Sequence, residues 1–421
     1  MARIVVYSMA YRGDVFPYVP VATALAERGH DVTYVVPREF HALLADEPFR
    51  CVHSGTDFGP AALDEHAAYV ARWGTRLGGS MLLRLYFGVF TVPHLDVLFE
   101  TIDGALAGAD LLVAHPAASV VGAMAAERRG VPWLVGDLFP MLLPSEHVAV
   151  AGLPYLGRRV NRAVIRMGRS SKLDRATSAE GFRAFRRRLG LATDGWNVID
   201  GRLSPYRNLG LVPSAYLEAQ PDWPRNYRLV GFTPWEGPGG GALDDEVTAF
   251  LDAGPPPVVV TLGTSGASAR PEVFDAAVTA LDALGERGVF LASNTAIAAR
   301  LAALAGTGHL VRPFVPLAPL LQRTRAIVHS GAHGTNALAL LAGVPSVVVP
   351  CLFDQQFHAQ RQQQLGTGTS VRSAGRLLGA IREVLTDDAY AGRARAFALR
   401  IGVEDGTGAM ADEAETMLAG R

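Results

Sequence analysis

A chain of 421 residues is long enough for two domains, each with its own core. With 49% apolar and 19% charged residues, it has the make-up of an ordinary globular α/β protein, which argues against disorder. A net charge of −1 leaves no bulk basic surface for nucleic acid.

The first half alternates strands and helices. Residues 4–7 form an unbroken apolar run, the pattern of a strand covered on both faces. The turn Tyr11-Arg12-Gly13-Asp14 follows. Val21, Ala24 and Leu25 then share one stripe of a helix predicted over 19–27, which Gly29 ends. Further strands are predicted over 32–36, 111–114 and 133–135. Such alternation implies right-handed crossovers and a parallel sheet. Residues 221–241 are rich in proline and glycine, a linker signature. A second series of strands follows, predicted over 258–262, 288–292, 310–314, 326–329 and 346–349, and a last helix is predicted around 412–418. The chain reads as two doubly wound, Rossmann-like parallel-sheet domains, 1–220 and 242–405, with a terminal segment 406–421. A ligand is expected at the carboxyl ends of strands, in a cleft between the domains. The arginine-bearing stretch 158–169 reads as a solvated helix face, a lipid surface being the alternative. The apolar run near the N-terminus is too short for a signal peptide, and no segment is apolar enough for long enough to span a bilayer. A cytoplasmic location is expected.

The richest stretch runs from Val328 to Gln360. A strand ends in His329, a turn with Gly331 and Gly334 follows, and a helix opens near Thr335. Unpaired amides around His333 to Thr335 form an anion site with the positive end of the helix dipole. Glycines let the backbone approach phosphate closely. His329 is placed to donate to a phosphate oxygen, and a diphosphate beside it would favour its protonated form. Thr264 and Ser265, after the first strand of the second domain, suit a further phosphate contact. Asp354 and Gln355, just past the next strand, offer an acceptor carboxylate beside an amide, suited to adjacent sugar hydroxyls. Asp14, in a glycine turn at the end of the first strand, reads either as a general base for a hydroxyl or as a helix cap. His115 ends the strand over 111–114 and would lie at the same sheet edge, so either residue of an Asp14–His115 pair could take the proton.

Other chemistries lack their parts. Cys51 and Cys351 read as buried reduced thiols, without the ligand pairs of a zinc site. Lys172 is the only lysine, which leaves no Schiff-base candidate. G-x-x-x-x-G-K-S/T is absent, as is G-x-G-x-x-G after the first strand. No D-x-D pair suggests a metal-held diphosphate.

These residues resemble bacterial family 1 glycosyltransferases of the GT-B fold, those of antibiotic and natural-product biosynthesis, and more distantly sterol glucosyltransferases. The resemblance spans nearly the whole chain. It rests on R-G-D-V-F-P (Arg12 to Pro17), A-E-R-G-H-D-V-T (Ala26 to Thr33) and F-V-P (Phe314 to Pro316). It rests also on H-S-G-A-H-G-T (His329 to Thr335), A-G-V-P (Ala342 to Pro345) and D-Q-Q-F-H-A (Asp354 to Ala359). It implies an inverting transfer without a metal or other cofactor. Asp14 matches the position of the catalytic base and His115 that of its partner. His329 and the Gly334-Thr335 turn match diphosphate contacts, with Gly331 and His333 in the same candidate turn, His333 standing where relatives have a small residue, and Asp354 and Gln355 match sugar contacts. Phe314 and Val315 match the region that meets the nucleobase, and a C-terminal helix is expected to pack back on the N-terminal domain.

The expected partners are a TDP- or UDP-linked hexose or deoxyhexose and a small hydrophobic hydroxylated acceptor, in a monomer or homodimer. The acceptor is expected against the first domain, near Gly13, Trp73, Met81, Tyr86, Phe87, Phe90, Asp137, Phe139 and Met141. The apolar members of that set read equally well as core. A nucleotide-sugar epimerase and a non-catalytic helper of another transferase are the alternatives.

Overall fold

A computed structural model describes residues 1–8, 11–57, 65, 87–88, 90–149, 155–170, 172–173, 179–238, 241–263, 270–304, 308–351 and 354–420. The chain divides into two compact units. One runs to Thr233 and takes the chain up again at Glu404; the other runs from Pro234 to Val403.

The first unit is built on strands β1 (Arg3–Tyr7), β2 (Asp31–Val36), β3 (Arg50–His53), β4 (Leu111–Ala114), β5 (Trp133–Asp137), β6 (Arg207–Gly210) and β7 (Tyr227–Leu229). They form one parallel sheet in the order β3-β2-β1-β4-β5-β6-β7. Ile4 to Tyr7 and Leu111 to Ala114 are buried throughout, because helices cover both faces of the sheet. Helix α1 (Val19–Glu27) turns Val21, Ala22 and Leu25 inward. The order of strands reverses between β1 and β4, which pair Tyr7 with Ala114. That reversal opens a crevice at their carboxyl ends, the usual binding position in a doubly wound sheet.

The predicted linker 221–241 lies partly inside this sheet, since Tyr227–Leu229 is its edge strand β7. Its proline and glycine mark turns on either side of a short strand, a difference composition does not register.

The second unit has strands β8 (Val258–Thr261), β9 (Gly288–Leu291), β10 (His309–Arg312), β11 (Ala326–His329), β12 (Ser346–Val348) and β13 (Gly368–Ser370). Their order is β10-β9-β8-β11-β12-β13, again parallel. In β8, Val258 and Val260 join a core with Phe274, Leu281 and Ile381, whereas Val259 joins Val247, Leu320 and Leu321. A run of valines thus feeds two cores, because successive side chains point to opposite faces. The order reverses between β8 and β11, which pair Thr261 with His329. Helices α2 (His333–Leu341) and α3 (Gln355–Leu365) follow β11 and β12. The strand expected over 310–314 ends at Arg312, and α2 opens at His333, earlier than Thr335.

Helix α4 (Gly406–Ala419) belongs to the first unit. Met410, Ala411 and Ala414 are its buried face. Arg28 pairs with Asp412 at 2.7 Å and Glu415 at 2.8 Å, and Glu413 takes Arg207 at 2.5 Å and Arg228 at 3.0 Å. Among the described residues, no helix is long and apolar enough to cross a membrane.

Candidate active site

In the first unit the crevice between β1 and β4 holds Asp14 and His115. Asp14 closes the first turn after β1, where its Oδ2 accepts the Tyr11 backbone N–H at 3.1 Å. His115 directly follows β4, and its backbone N–H donates to Tyr7 O at 2.9 Å. Its Nε2 lies 3.2 Å from Asp14 Oδ1. The approach is too bent for a linear hydrogen bond, as is common in a site without substrate. The backbone N–H of Ala117 donates to His115 Nδ1 at 3.1 Å, so in the neutral ring the proton sits on Nε2 and faces the carboxylate. In this arrangement His115 offers Asp14 a proton donor, and the carboxylate is the acceptor of the pair. The ring is clamped edge-on by Tyr18 at 5.8 Å and Phe139 at 5.9 Å, centroid to centroid. His115 is 1% exposed; Asp14 keeps 16% of its side chain open.

In the second unit, β11 delivers His329 to the crevice beside β8. Gly331 has φ +84°, and a Cβ there would sit 2.9 Å from Val348 Cγ1 and 3.1 Å from the Gln355 carbonyl oxygen. Only glycine fits both that backbone and that space. The turn it makes brings its N–H onto His329 Nδ1 at 3.0 Å. The ring proton of His329 is therefore on Nε2, which is buried without a partner among the described residues. Burial pushes the His329 pKa down to about 3, with the nearby His358 adding to the shift. In this environment the imidazole is neutral, and it can serve an anion as an N–H donor. At the start of α2 no side chain caps the first turn, and the space over Gly334 is open. His333, Gly334 and Thr335 occupy that turn, so its amides and the Nε2–H of His329 are the groups there that can meet phosphate oxygens.

Asp354 is the residue before α3 and is almost wholly buried. Its Oδ2 lies 3.0 Å from His358 Nε2, one helical turn on. The Gln355 side-chain carbonyl accepts the Cys351 backbone N–H at 2.8 Å. His358, Tyr18 and Asn336 were absent from the expected site. The Asp354–His358 spacing of four on one helix was the available signal for the first; the others had none.

Several acceptor candidates are buried within the first unit. Asp137 is 0% exposed, accepting the Tyr227 hydroxyl at 2.9 Å and the Phe139 N–H at 2.8 Å, with Arg202 at 3.8 Å. A carboxylate so enclosed ties parts of the first unit together, as a strut does. Phe87 and Phe90 are buried, Phe87 against Phe182 at 6.2 Å. The Val315 side chain belongs to the core with Val247 and Leu320, while Phe314 beside it is half-buried. Gly13 is exposed, and Phe139 and Met141 are half-buried. Trp73, Met81, Tyr86, Thr264 and Ser265 lie outside the described residues.

Residues 281–403 match the family model of the erythromycin biosynthesis protein CIII-like C-terminal domain. The chain is 30% identical over 439 residues to O-mycaminosyltylonolide 6-deoxyallosyltransferase of Streptomyces fradiae, covering 98% of each protein. It is 27% identical over 387 residues to the dTDP-epi-vancosaminyltransferase of Amycolatopsis orientalis, covering 88% of this chain and 85% of the relative. The crystal structure of the glycosyltransferase VinC in complex with dTDP superposes with a TM-score of 0.71 at 19% identity, over 100% of both chains, a likeness of fold. With two doubly wound units and this likeness along its length, the chain belongs to the family 1 glycosyltransferases of antibiotic biosynthesis, which have the GT-B fold.

Proposed function

We propose that this glycosyltransferase moves a hexose or deoxyhexose from a TDP- or UDP-sugar to a hydroxyl of a hydrophobic natural-product aglycone, with inversion at the anomeric carbon. The observation that carries the mechanism is the Asp14–His115 pair at 3.2 Å, with its proton directed by Ala117. Asp14 takes the proton of the acceptor hydroxyl. The acceptor oxygen then forms its bond to the anomeric carbon as the bond to the diphosphate oxygen breaks, and the nucleoside diphosphate leaves. Direct displacement by one nucleophile inverts the centre. Two relatives support the donor class by their names, one a deoxyallosyl- and the other a dTDP-sugar transferase, and VinC was crystallised with dTDP.

The second unit supplies the donor half. The first-turn amides of α2 and the neutral His329 Nε2–H are placed for the diphosphate, and both strengthen as charge builds on the leaving group. Their donors meet that charge, so the reading assigns no metal. Asp354 and Gln355 are assigned to the sugar hydroxyls, and Phe139 and Met141 to the acceptor side. The test is mass spectrometry of reactions with TDP- and UDP-sugars and a panel of hydroxylated apolar acceptors, with the anomeric configuration read by NMR. A product of retained configuration would overturn the mechanism, and sugar isomerisation without an acceptor would overturn the function.

A further inference from the structure

Behind the assigned sugar contacts lies a buried polar chain that the reaction does not explain. Gln362, Asn336, His358, Ser346 and Thr367 are all nearly inaccessible, between 0% and 1% exposed. Their donors run in one direction. Thr367 Oγ1 donates to Gln362 Oε1, which leaves the Gln362 amide nitrogen to donate to Asn336 Oδ1 at 3.1 Å. Ser346 Oγ stands 3.4 Å from the same nitrogen. Asn336 then turns its Nδ2 toward His358 Nδ1 at 3.4 Å. An acceptor at Nδ1 puts the His358 proton on Nε2, which points it at Asp354 Oδ2 at 3.0 Å. Each amide orientation is dictated by the one before it, and the series ends on a carboxylate.

The chain also ties two subsites together. Asn336 lies in the second turn of α2, whose first turn is assigned to the diphosphate, and His358 lies in α3, whose start carries Asp354. The ring of His333, first residue of α2, meets that of His358 edge-on at 5.9 Å. Fully satisfied buried networks hold their members in one geometry, and a half-satisfied one is costly. We infer that His358 is a positioning residue for the donor sugar: with Asn336 and Gln362 behind it, it holds Asp354 Oδ2 so that Oδ1, which has no protein partner among the described residues, is presented to a sugar hydroxyl. This inference rests on the assignment of Asp354 to the sugar.

Binding of TDP alone and of a TDP-sugar separates positioning from mere stability. His358→Leu keeps the volume and removes the donor. It weakens the TDP-sugar about tenfold, the scale of losing one well-placed hydrogen bond to a charged group, and leaves TDP within about twofold. His358→Gln, which can still donate to Asp354, restores most of the loss. In the Asp354→Asn background His358→Leu costs little more, since both act through one contact. Asn336→Ala, which frees the imidazole to choose its tautomer, gives a smaller loss of the same selectivity and replaces His358→Leu should that variant not fold. Equal weakening of TDP and TDP-sugar in these variants, or unchanged TDP-sugar binding in a folded His358→Leu, overturns the inference. Unchanged TDP-sugar binding in Asp354→Asn overturns instead the assignment beneath it.

Discussion

The Nε2 of His115 stands 3.2 Å from Asp14 Oδ1, and the backbone of Ala117 decides which of the two can take a proton. Its N–H occupies His115 Nδ1, so the imidazole offers a donor to the carboxylate, and the aspartate is the proposed base. Replacing Asp14 by Asn keeps the size and most contacts but removes the base. The expected result is a fall in kcat of about 10²- to 10⁴-fold, with the Kd for TDP unchanged by calorimetry. Near-normal turnover would exclude Asp14 as the base.

His115 acts on the reaction only through Asp14. His115→Ala should lower kcat about tenfold to a hundredfold, the value of one charge-assisted hydrogen bond. Steady-state kinetics should show less loss than in Asp14→Asn, and the double variant should be no slower than Asp14→Asn alone. A His115→Ala enzyme slower than Asp14→Asn would exchange the two roles.

The two glycines of the turn proposed to meet the diphosphate should respond in opposite ways. At Gly331, φ is +84° and a Cβ would meet Val348 and the Gln355 carbonyl, so Gly331→Ala should lower Tm and weaken TDP together. Gly334 lies in α2 with open space above it. Gly334→Ala should hold or raise Tm, since alanine favours a helix over glycine by about 1 kcal/mol, while its methyl obstructs the phosphate approach. Calorimetric melting and TDP binding on the same samples check both, and undiminished TDP binding by Gly334→Ala would remove the turn from the donor site.

His329 makes stability depend on pH. Its folded pKa is about 3, against 6.5 for the ordinary side chain, so between those values the unfolded chain binds the extra proton. Stability therefore falls as pH drops below about 6.5, by up to about 1.4 kcal/mol per pH unit, and this group costs nothing above that pH. Urea unfolding at about pH 5 and about pH 7 should show a smaller difference in His329→Gln than in the wild type. Identical differences would mean that His329 is not the buried neutral group described.

Asp137 should prove a residue of stability and not of acceptor choice. Asp137→Ala strands Arg202 and the Tyr227 hydroxyl, and breaking such a buried pair costs about 3–5 kcal/mol. The loss is read in urea unfolding. Full stability with altered acceptor preference would return Asp137 to the acceptor site.

Strand and helix were legible wherever a short apolar run determined its own environment. Leu111 to Ala114, Val19 to Glu27 and Ala326 to His329 fall where the pattern of the chain puts them, because period and polarity are local properties. The edge strand Tyr227–Leu229 was hidden in a proline- and glycine-rich segment, because an edge strand needs only one paired neighbour and little apolar character. The positions of Asp14, His329 and Asp354 at or after strand ends were legible, and a doubly wound sheet exposes its side chains there.

Sequence by itself determined two alternating α/β halves and a tight turn whose glycine at 331 the backbone demands, since these follow from local periodicity and local sterics. Which polar residue is claimed by protein partners and which is left open was decided by tertiary structure. Asp14 and Asp137 are both carboxylates near strand ends of one sheet, but Tyr227, 90 residues beyond, claims Asp137, while Asp14 is left partly open beside His115. Burial and hydrogen-bond direction depend on partners distant in the chain, and no spacing between neighbours carries that information.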